Sequence, residues 1–197
     1  MGKIFCIMGK SATGKDTIYK RLLADESLKL NKIVTYTTRP VREGEKPGEE
    51  YFFIDDKEAE CLNAEGKIVE LRAYNTVHGI WKYMTVDDGN LDLAGKDYLI
   101  IGTPESYGKC VEYFGAGVMV PLLITVDDGV RLERALRRER KQKSPKYEEM
   151  CRRFLADAED FSEEKIEQAG IVKRFVNEDL ERCYGEIAKE ITEQQGK

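Results

Sequence analysis

The sequence contains little histidine and cysteine. Its 197 residues include one histidine, His78, and five cysteines, none of them in a Cys-x-x-Cys pair. Zinc sites need His and Cys ligands at close spacing, and disulfide frameworks use even numbers of cysteines, so the composition argues against both. We expect reduced, buried thiols of a cytoplasmic protein, and we expect His78 to be a loop residue without a catalytic role. The cysteines are Cys6, Cys61, Cys110, Cys151 and Cys183.

Long apolar runs and an excess of positive charge are also missing. No run is long enough to cross a bilayer, and a strand-like segment begins within the first residues, so we expect neither a membrane span nor a signal peptide. The net charge of −5 provides no global field that would attract nucleic acid. The length fits one domain. We therefore expect small-molecule substrates bound at local basic clusters, without nucleic-acid or membrane partners; the sequence does not define an oligomeric state.

A glycine-rich loop lies between an apolar run and a helical pattern. It reads Gly9-Lys10-Ser11-Ala12-Thr13-Gly14-Lys15-Asp16-Thr17. Its two glycines let successive backbone N–H groups point at phosphate oxygens, the next helix adds its dipole, and Lys15 reaches the outer phosphates of a nucleotide. The alternative is a glycine-rich turn with a solvated lysine. Asp16 stands where the motif normally has Ser or Thr, and its carboxylate repels a triphosphate unless a metal ion lies between them.

Strand-like and helical segments alternate along most of the chain, which predicts a parallel sheet covered by helices on both faces. The segment 37–88 breaks the alternation, and we interpret it as a small antiparallel insertion with strand-like runs at Tyr51–Ile54, Ile68–Leu71 and Trp81–Met84. The other predicted strands are Lys3–Met8, Lys32–Tyr36, Tyr98–Gly102, Val118–Val126 and Ile171–Val176. The predicted helices are Lys15–Asp25, Lys57–Asn63, Pro104–Phe114, Asp127–Gln142, Tyr147–Ala169 and Asp179–Thr192.

A strongly basic helix is predicted to begin near Asp127. This aspartate is a suitable N-cap, and Leu132 and Leu136 mark the stripe that we expect to be buried. The chain breaks at Ser144-Pro145 and continues as a second helix. The two helices could form a mobile lid that closes over phosphates, or a solvated basic face balanced by nearby glutamates. Their basic residues include Arg131, Arg134, Arg137, Arg138, Arg140, Lys141, Lys143, Arg152 and Arg153.

A second candidate anion site follows the second predicted strand. Arg39 and Arg42 lie three residues apart, just before a glycine turn. Guanidinium groups bind phosphate oxygens in a bidentate manner, so the two side chains could hold one phosphate. The hydroxyl of Tyr51 could add a further hydrogen bond.

At these positions the sequence resembles the guanylate kinase family, which has Thr-Thr-Arg, an arginine three residues on, Gly-Glu and then Tyr after its second strand. The family's acidic position that recognises guanine resembles Ile68-Val69-Glu70. Its arginine-bearing lid resembles the region Arg134–Arg153, and its motif near the adenine site resembles Val176-Asn177-Glu178-Asp179-Leu180. The resemblance implies an α/β P-loop kinase core with a parallel sheet flanked by helices, a small mixed or antiparallel insertion that binds the nucleoside monophosphate (NMP), and an Arg-rich helical lid. The corresponding division is 1–36, 89–126 and 165–197 for the core, 37–88 for the insertion and 127–164 for the lid.

The same resemblance implies transfer of the ATP γ-phosphate to GMP or dGMP, with Mg²⁺ as cofactor. The residues implied to bind ATP are Gly9, Lys10, Ser11, Ala12, Thr13, Gly14, Lys15, Asp16, Thr17 and Asn177, with Asp16 and Thr17 nearest the metal. Those implied to bind the acceptor are Thr35, Arg39, Arg42, Tyr51, Glu70 and Tyr83, with Glu70 accepting from the N1 and N2 donors of guanine. Lys15, Arg138 and Arg153 are implied to be catalytic.

Three positions depart from the family pattern. The first is Asp16, which stands in place of Ser or Thr. The second is the segment Leu99–Thr103, which lacks the family's acidic Leu-Asp-Ile-Asp motif. The third is Gly79–Thr85, which stands in place of the family's Gly-Asn-Tyr-Tyr-Gly, with Tyr83 one residue away from the position of a family tyrosine. The Gly-Lys-Asp variant also resembles ribose 1,5-bisphosphate phosphokinase, which is the alternative enzyme. A guanylate-kinase-like domain that only binds protein partners is the alternative of another class. The retained Lys15 favours an enzyme, and Glu70 favours an acceptor that carries a base.

Overall fold

A computed structural model describes residues 1–42, 44–76 and 79–196. His78, which the sequence analysis assigns to a loop, lies outside the described residues. The strands are β1 Ile4–Met8, β2 Leu30–Lys32, β3 Tyr36–Thr37, β4 Phe52–Phe53, β5 Ile68–Thr76, β6 Gly79–Val86, β7 Asp97–Gly102, β8 Met119–Thr125 and β9 Arg174–Val176. The helices are α1 Lys15–Ala24, α2 Asp56–Ala64, α3 Pro104–Phe114, α4 Asp128–Arg140, α5 Tyr147–Asp160, α6 Glu163–Gln168 and α7 Leu180–Gln195.

Five parallel strands form the central sheet, in the order β2-β7-β1-β8-β9. The central strand β1 is buried along its whole length, which explains its continuous apolar sequence. Ile4, Cys6 and Met8 pack on the face covered by α3 and α6, and Phe5 and Ile7 pack on the face covered by α1 and α7. The expected parallel sheet with helices on both faces is confirmed. The loop after β1 therefore lies at the carboxyl edge of the sheet, where open α/β sheets bind their ligands.

A second, mixed sheet of four strands has the order β4-β3-β6-β5. Strands β5 and β6 pair antiparallel over almost their whole length, and β3 pairs antiparallel with β6 and parallel with β4. Ala59 of α2 packs on Met84 and Val86 of β6, which gives this sheet a small core of its own. The division of the chain into core, insertion and lid stays a prediction.

The predicted strand Lys32–Tyr36 is wrong as one element. In the central sheet, the N–H of Ile33 donates to the carbonyl of Leu99 at 3.0 Å. Two residues further on, the carbonyl of Thr35 accepts from the N–H of Phe52 in the second sheet at 2.9 Å. One apolar run therefore crosses from one sheet to the other, and periodicity alone does not show such a crossing.

Two further elements differ from the prediction. The segment predicted as one helix, Tyr147–Ala169, forms α5 and α6, and Ser162 caps α6 by accepting the N–H of Lys165 at 3.4 Å. The last strand begins at Arg174 instead of Ile171. A serine N-cap inside a helical pattern is thus the local reason for the break.

The buried stripe of α4 also differs. Asp127 is the N-cap, as expected, and accepts the N–H groups of Gly129 and Val130. The buried residues, however, are Arg131, Ala135 and Glu139, whereas Leu132 is 41% exposed. The spacing of four residues is that of one helix face, but the face that is turned inward carries charge. A hydrophobicity pattern does not predict such a face.

The cysteines are free, but only some of them are buried. Cys6, Cys110 and Cys183 lie in the core, whereas Cys61 and Cys151 are exposed, so the expectation of buried thiols is wrong for these two. Burial raises the pKa of Cys110 to about 12 and that of Cys183 to about 11. Among the described residues, no helix has the length and apolarity needed to cross a membrane.

Two leucines test the placement of the core. Leu122 of β8 is 0% exposed and Leu155 of α5 is 71% exposed. We expect Leu122→Ala to lower the free energy of unfolding by roughly 2–5 kcal/mol, because it loses apolar burial and leaves a cavity. The matched control Leu155→Ala should change it by less than roughly 0.5 kcal/mol. Denaturant unfolding followed by circular dichroism measures both, and equal losses would contradict the fold.

Candidate active site

The phosphate loop, residues 9–17, connects the end of β1 to the first turn of α1. Its backbone is left-handed at Gly14 (φ 91°) and also at Ala12 (φ 64°), where a side chain makes that conformation unfavourable. A Cβ atom added to Gly14 would lie 2.3 Å from Nδ2 of Asn177. The loop therefore requires glycine at position 14, for its backbone angle and for lack of space.

Asn177 holds the loop from the end of β9. Its side-chain amide donates to the carbonyl of Thr13 at 2.6 Å, and its own N–H donates to the carbonyl of Thr125 at 2.8 Å. The hydroxyl of Thr13 donates to the carbonyl of Lys10 at 2.9 Å. Asn177 and Thr13 are both buried. The structure thus places the side chain of Asn177 against the loop backbone, where it fixes the direction of the loop amides.

Lys15, Asp16 and Thr17 begin α1 at the open side of the loop. Lys15 Nζ lies 2.9 Å from a carboxylate oxygen of Asp16, whose side chain is 67% exposed. Mg²⁺ commonly binds one or two carboxylates together with substrate phosphates and water. The exposed carboxylate of Asp16 and the adjacent hydroxyl of Thr17 fit such a site. Within the described ranges, no group of three or more His, Cys, Asp or Glu side chains could hold a metal ion.

Arg39 is a buried cation with a fixed orientation. It donates to Glu45 Oε1 at 2.9 Å and to the carbonyl of Pro40 at 2.8 Å, and its guanidinium carbon lies 5.4 Å from the ring centroids of Tyr51 and Phe53. Sequence reasoning noted the Gly-Glu pair but did not assign Glu45 this role. The carboxylate and the two rings offset the cost of burying the charge.

Arg42 lies between further positive charges. Burial lowers the pKa of Arg42, and the charges of Arg39 and Arg153 lower it further. Such mutual repulsion among cations is relieved when an anion binds between them. The positions of Arg39, Arg42 and Arg153 therefore favour a phosphate site shared by the second sheet and helix α5.

Tyr51 and Tyr83 are neighbours within the same site. Their ring centroids lie 5.7 Å apart in an edge-to-face arrangement. Burial and the phenol of Tyr83 raise the pKa of Tyr51, and the negative charge of Asp16 contributes to the increase. Thr35 contributes a backbone carbonyl to the pairing with β4, as described above, and its role toward a ligand stays a prediction.

Glu70 is fully buried and already paired. Its side chain is 0% exposed, it accepts from Nε of Arg72 at 3.0 Å and from Nη2 at 3.3 Å, and it also accepts from the hydroxyl of Thr85 at 2.9 Å. Sequence reasoning missed both partners. Arg72 could have been found, because residues two apart in a strand share a face. A guanine base would have to approach this carboxylate from within an existing network.

A cavity of about 860 Å³ brings several predicted residues together. Its lining includes Ser11 of the phosphate loop, Arg42 of the segment between β3 and β4, Arg138 of α4, and Arg152 and Arg153 of α5. Arginines from three parts of the chain therefore surround one space beside the loop, which is an arrangement suited to charge on a transferring phosphoryl group. Within the described part of the chain, Lys15, Arg39 and Glu70 do not line this cavity.

The arginines of α5 are held by a carboxylate. Glu149 accepts hydrogen bonds from Arg152 and Arg153. These bonds, that of Arg152 most strongly, lower the pKa of Glu149 to about 2. Arg153 donates through Nε at 2.9 Å. A pairing of Nε leaves the outer nitrogens of a guanidinium available to other acceptors.

A glycine-rich phosphate loop at the carboxyl edge of a parallel sheet, facing a set of arginines, defines a phosphotransferase of the P-loop class. The family model for guanylate kinase matches residues 1–80. The guanylate kinase of Neisseria gonorrhoeae is 31% identical over 192 residues, which cover 94% of this chain and 85% of the relative. The guanylate kinase of Oleidesulfovibrio alaskensis is also 31% identical over 192 residues, with 94% and 84% covered.

The fold agrees with these sequence relatives. The crystal structure of guanylate kinase from Anaplasma phagocytophilum matches with a TM-score of 0.67 at 25% identity, over 100% of this chain and 87% of that chain. This chain belongs to the guanylate kinase family. The resemblance found in the sequence is confirmed.

Gly14→Ala tests the geometry of the loop. The new Cβ would meet the side chain of Asn177 and strain the backbone, so we expect binding of ATP to weaken by about tenfold or more while the fold persists. Gly185→Ala is the matched control, because Gly185 lies in α7 with open space around it. Titration with a fluorescent ATP analogue measures binding, and thermal unfolding checks the fold. Unchanged binding by the Gly14 variant would contradict the proposed loop geometry.

Proposed function

We propose that this protein transfers the γ-phosphate of ATP to GMP or dGMP, giving ADP and GDP or dGDP. The observation that carries the proposal is the single cavity that joins the phosphate loop at Ser11 to Arg42 and to the arginines Arg138 and Arg153. A phosphoryl group passing between two nucleotides needs donor and acceptor phosphates side by side among positive charges. The shared name of the relatives, guanylate kinase, favours a guanine nucleotide over ribose 1,5-bisphosphate or a non-catalytic binding domain.

The donor half consists of the loop amides and Lys15. The backbone N–H groups of residues 10–15 bind the ATP phosphates, and Lys15 exchanges its contact with Asp16 for the outer phosphates. Asp16 and Thr17 would hold Mg²⁺, which when bound neutralises charge on the phosphate oxygens. An aspartate at this position suits the reaction only with the metal between it and the triphosphate.

The acceptor half consists of the residues around Arg39. This guanidinium is already oriented by Glu45, so it needs little rearrangement to bind the acceptor phosphate together with Arg42. Tyr51 and Thr35 supply further polar contacts, and Tyr83 supports the ring of Tyr51. Glu70 binds the N1 and N2 donors of guanine, for which adenine has no equivalent pair.

The lid arginines act on the transferring group. Arg138 and Arg153 stabilise charge as it spreads over the phosphoryl oxygens, and no general base is required for this chemistry. In this proposal residues 127–164 form the lid, 37–88 the acceptor-binding insertion and the remainder the core. The substrates are small molecules, and the five free thiols support a cytoplasmic location.

A panel of acceptors tests the reaction. We expect ADP release with GMP and dGMP, and little release with AMP, UMP or ribose 1,5-bisphosphate, measured in a coupled assay. Lys15→Ala should abolish turnover while thermal unfolding stays unchanged, since the ion partner of Lys15, the carboxylate of Asp16, is exposed. Release with the sugar bisphosphate alone would overturn the guanylate kinase assignment, and a lack of ADP release with every acceptor of the panel would favour a binding domain.

Arg39→Ala tests the acceptor half separately. Because Arg39 lies on the acceptor side, we expect the KM for GMP to rise by roughly ten- to a hundredfold, and the KM for ATP to change by less than roughly threefold. Arg182→Ala is the matched control, since Arg182 lies on the surface of α7 and pairs only weakly with Glu178. Initial-rate kinetics with each substrate varied in turn give both constants. Equal increases in the two KM values would show that Arg39 does not act on the acceptor.

A further inference from the structure

The buried charge on α4 belongs to Arg131, which lies directly under the phosphate loop. Arg131 is 1% exposed. Its Nε donates to Asp128 at 2.8 Å, and its Nη1 donates to the carbonyl of Ser11 at 3.0 Å and to Asp157 of α5 at 3.2 Å. The face of Phe154 lies 4.5 Å from its guanidinium carbon. One arginine thus ties α4 and α5 to the loop, whereas its sequence position places it only among the basic residues of the candidate lid.

The carboxylate of Asp157 occupies an anion position of the loop. Its Oδ2 accepts the backbone N–H of Ser11 at 2.8 Å, and its side chain is only 15% exposed. Ser11 is the third residue of the loop, and the N–H groups of such loops bind phosphate oxygens. A carboxylate therefore stands where a phosphate oxygen of the donor is expected, and it is held there by Arg131.

Arg131 has capacity for another acceptor. Among the described residues, its buried Nη2 has no hydrogen-bond partner. A buried guanidinium N–H without an acceptor is costly, and phosphate offers more acceptor oxygens than one carboxylate does. The carboxylate of Asp128 accepts from Nε of Arg131, and its Oδ2 lies 3.5 Å from Nζ of Lys10. The contact with Asp128 would keep Arg131 in place if Asp157 moved away.

We propose that Arg131 binds the terminal phosphate of the donor, and that Asp157 takes the place of this phosphate when no nucleotide is bound. The inference rests on the proposed function, in which ATP is the donor. When ATP enters, its terminal phosphate replaces Asp157 at the N–H of Ser11 and at the guanidinium of Arg131.

Asp157→Asn tests the competition. The variant keeps the shape of the side chain and removes its charge, so the competing hydrogen bond weakens. We expect MgATP to bind about tenfold more tightly than to the wild type, and MgADP to change by less than about threefold. The matched control is Glu159→Gln, an exposed acidic residue of the same helix, which should leave both affinities unchanged. Isothermal titration calorimetry without an acceptor measures all of them.

Arg131→Met tests the phosphate contact. We expect MgATP affinity to fall by about tenfold or more and MgADP affinity to stay within about threefold, because ADP lacks the terminal phosphate. The single variant leaves Asp157 without its partner, so Arg131→Met/Asp157→Asn is measured too, with thermal unfolding as the check of folding. The double variant should also lose preference for ATP over ADP.

The outcomes separate the two ideas. Unchanged or weaker MgATP binding by Asp157→Asn, or equal losses of ATP and ADP binding in the Arg131 variants, would mean that the pair is purely structural and would overturn the inference. If the wild type binds MgATP but phosphorylates no acceptor of the panel, the proposed reaction fails, and the calorimetry still decides the roles of Arg131 and Asp157.

Discussion

The candidate site depends on one buried hydrogen bond, from the side-chain amide of Asn177 to the carbonyl of Thr13. Backbone amides bind phosphate only if the peptide planes are turned inward, and a turned peptide leaves its carbonyl needing a donor on the outer side. Asn177 supplies that donor from the neighbouring edge of the sheet. The same contact leaves no room for a side chain at Gly14, so the sequence of the loop and the position of β9 constrain each other.

The chain is acidic, yet its site is built from cations. Four arginines of this region are held by carboxylates: Arg39 by Glu45, Arg72 by Glu70, Arg131 by Asp157, and Arg153 by Glu149. These pairs orient the guanidinium groups before a ligand arrives, which reduces the rearrangement that binding requires. They also offset the cost of burying charge. A protein with a net negative charge can therefore hold buried and half-buried arginines in fixed orientations without becoming basic overall.

Much of the fold could be predicted from the sequence, because β1 and the helices that cover it carry strong apolar patterns. The glycine-rich loop and the Arg39–Arg42 segment could be recognised as candidates for a similar reason, since their residue spacing is typical of phosphate binding. The crossing of residues 32–36 between two sheets and the charged buried face at Arg131 could not be found, because each depends on tertiary partners. Glu70 shows the same limit: its role in a site stays a prediction, and its pairing with Thr85 depends on a residue of another strand, fifteen positions away.

The partners Asn177 and Thr13 are separated by 164 positions in the sequence. Contacts between such distant residues form late in folding, because a long loop must be closed before they contribute. During synthesis, the segment that carries the phosphate loop leaves the ribosome long before β9 exists. The loop therefore acquires its final shape only when nearly all of the central sheet has assembled. The shape of the glycine-rich motif at residues 9–17 is in this way a property of the assembled sheet, although the motif itself is short and local in sequence.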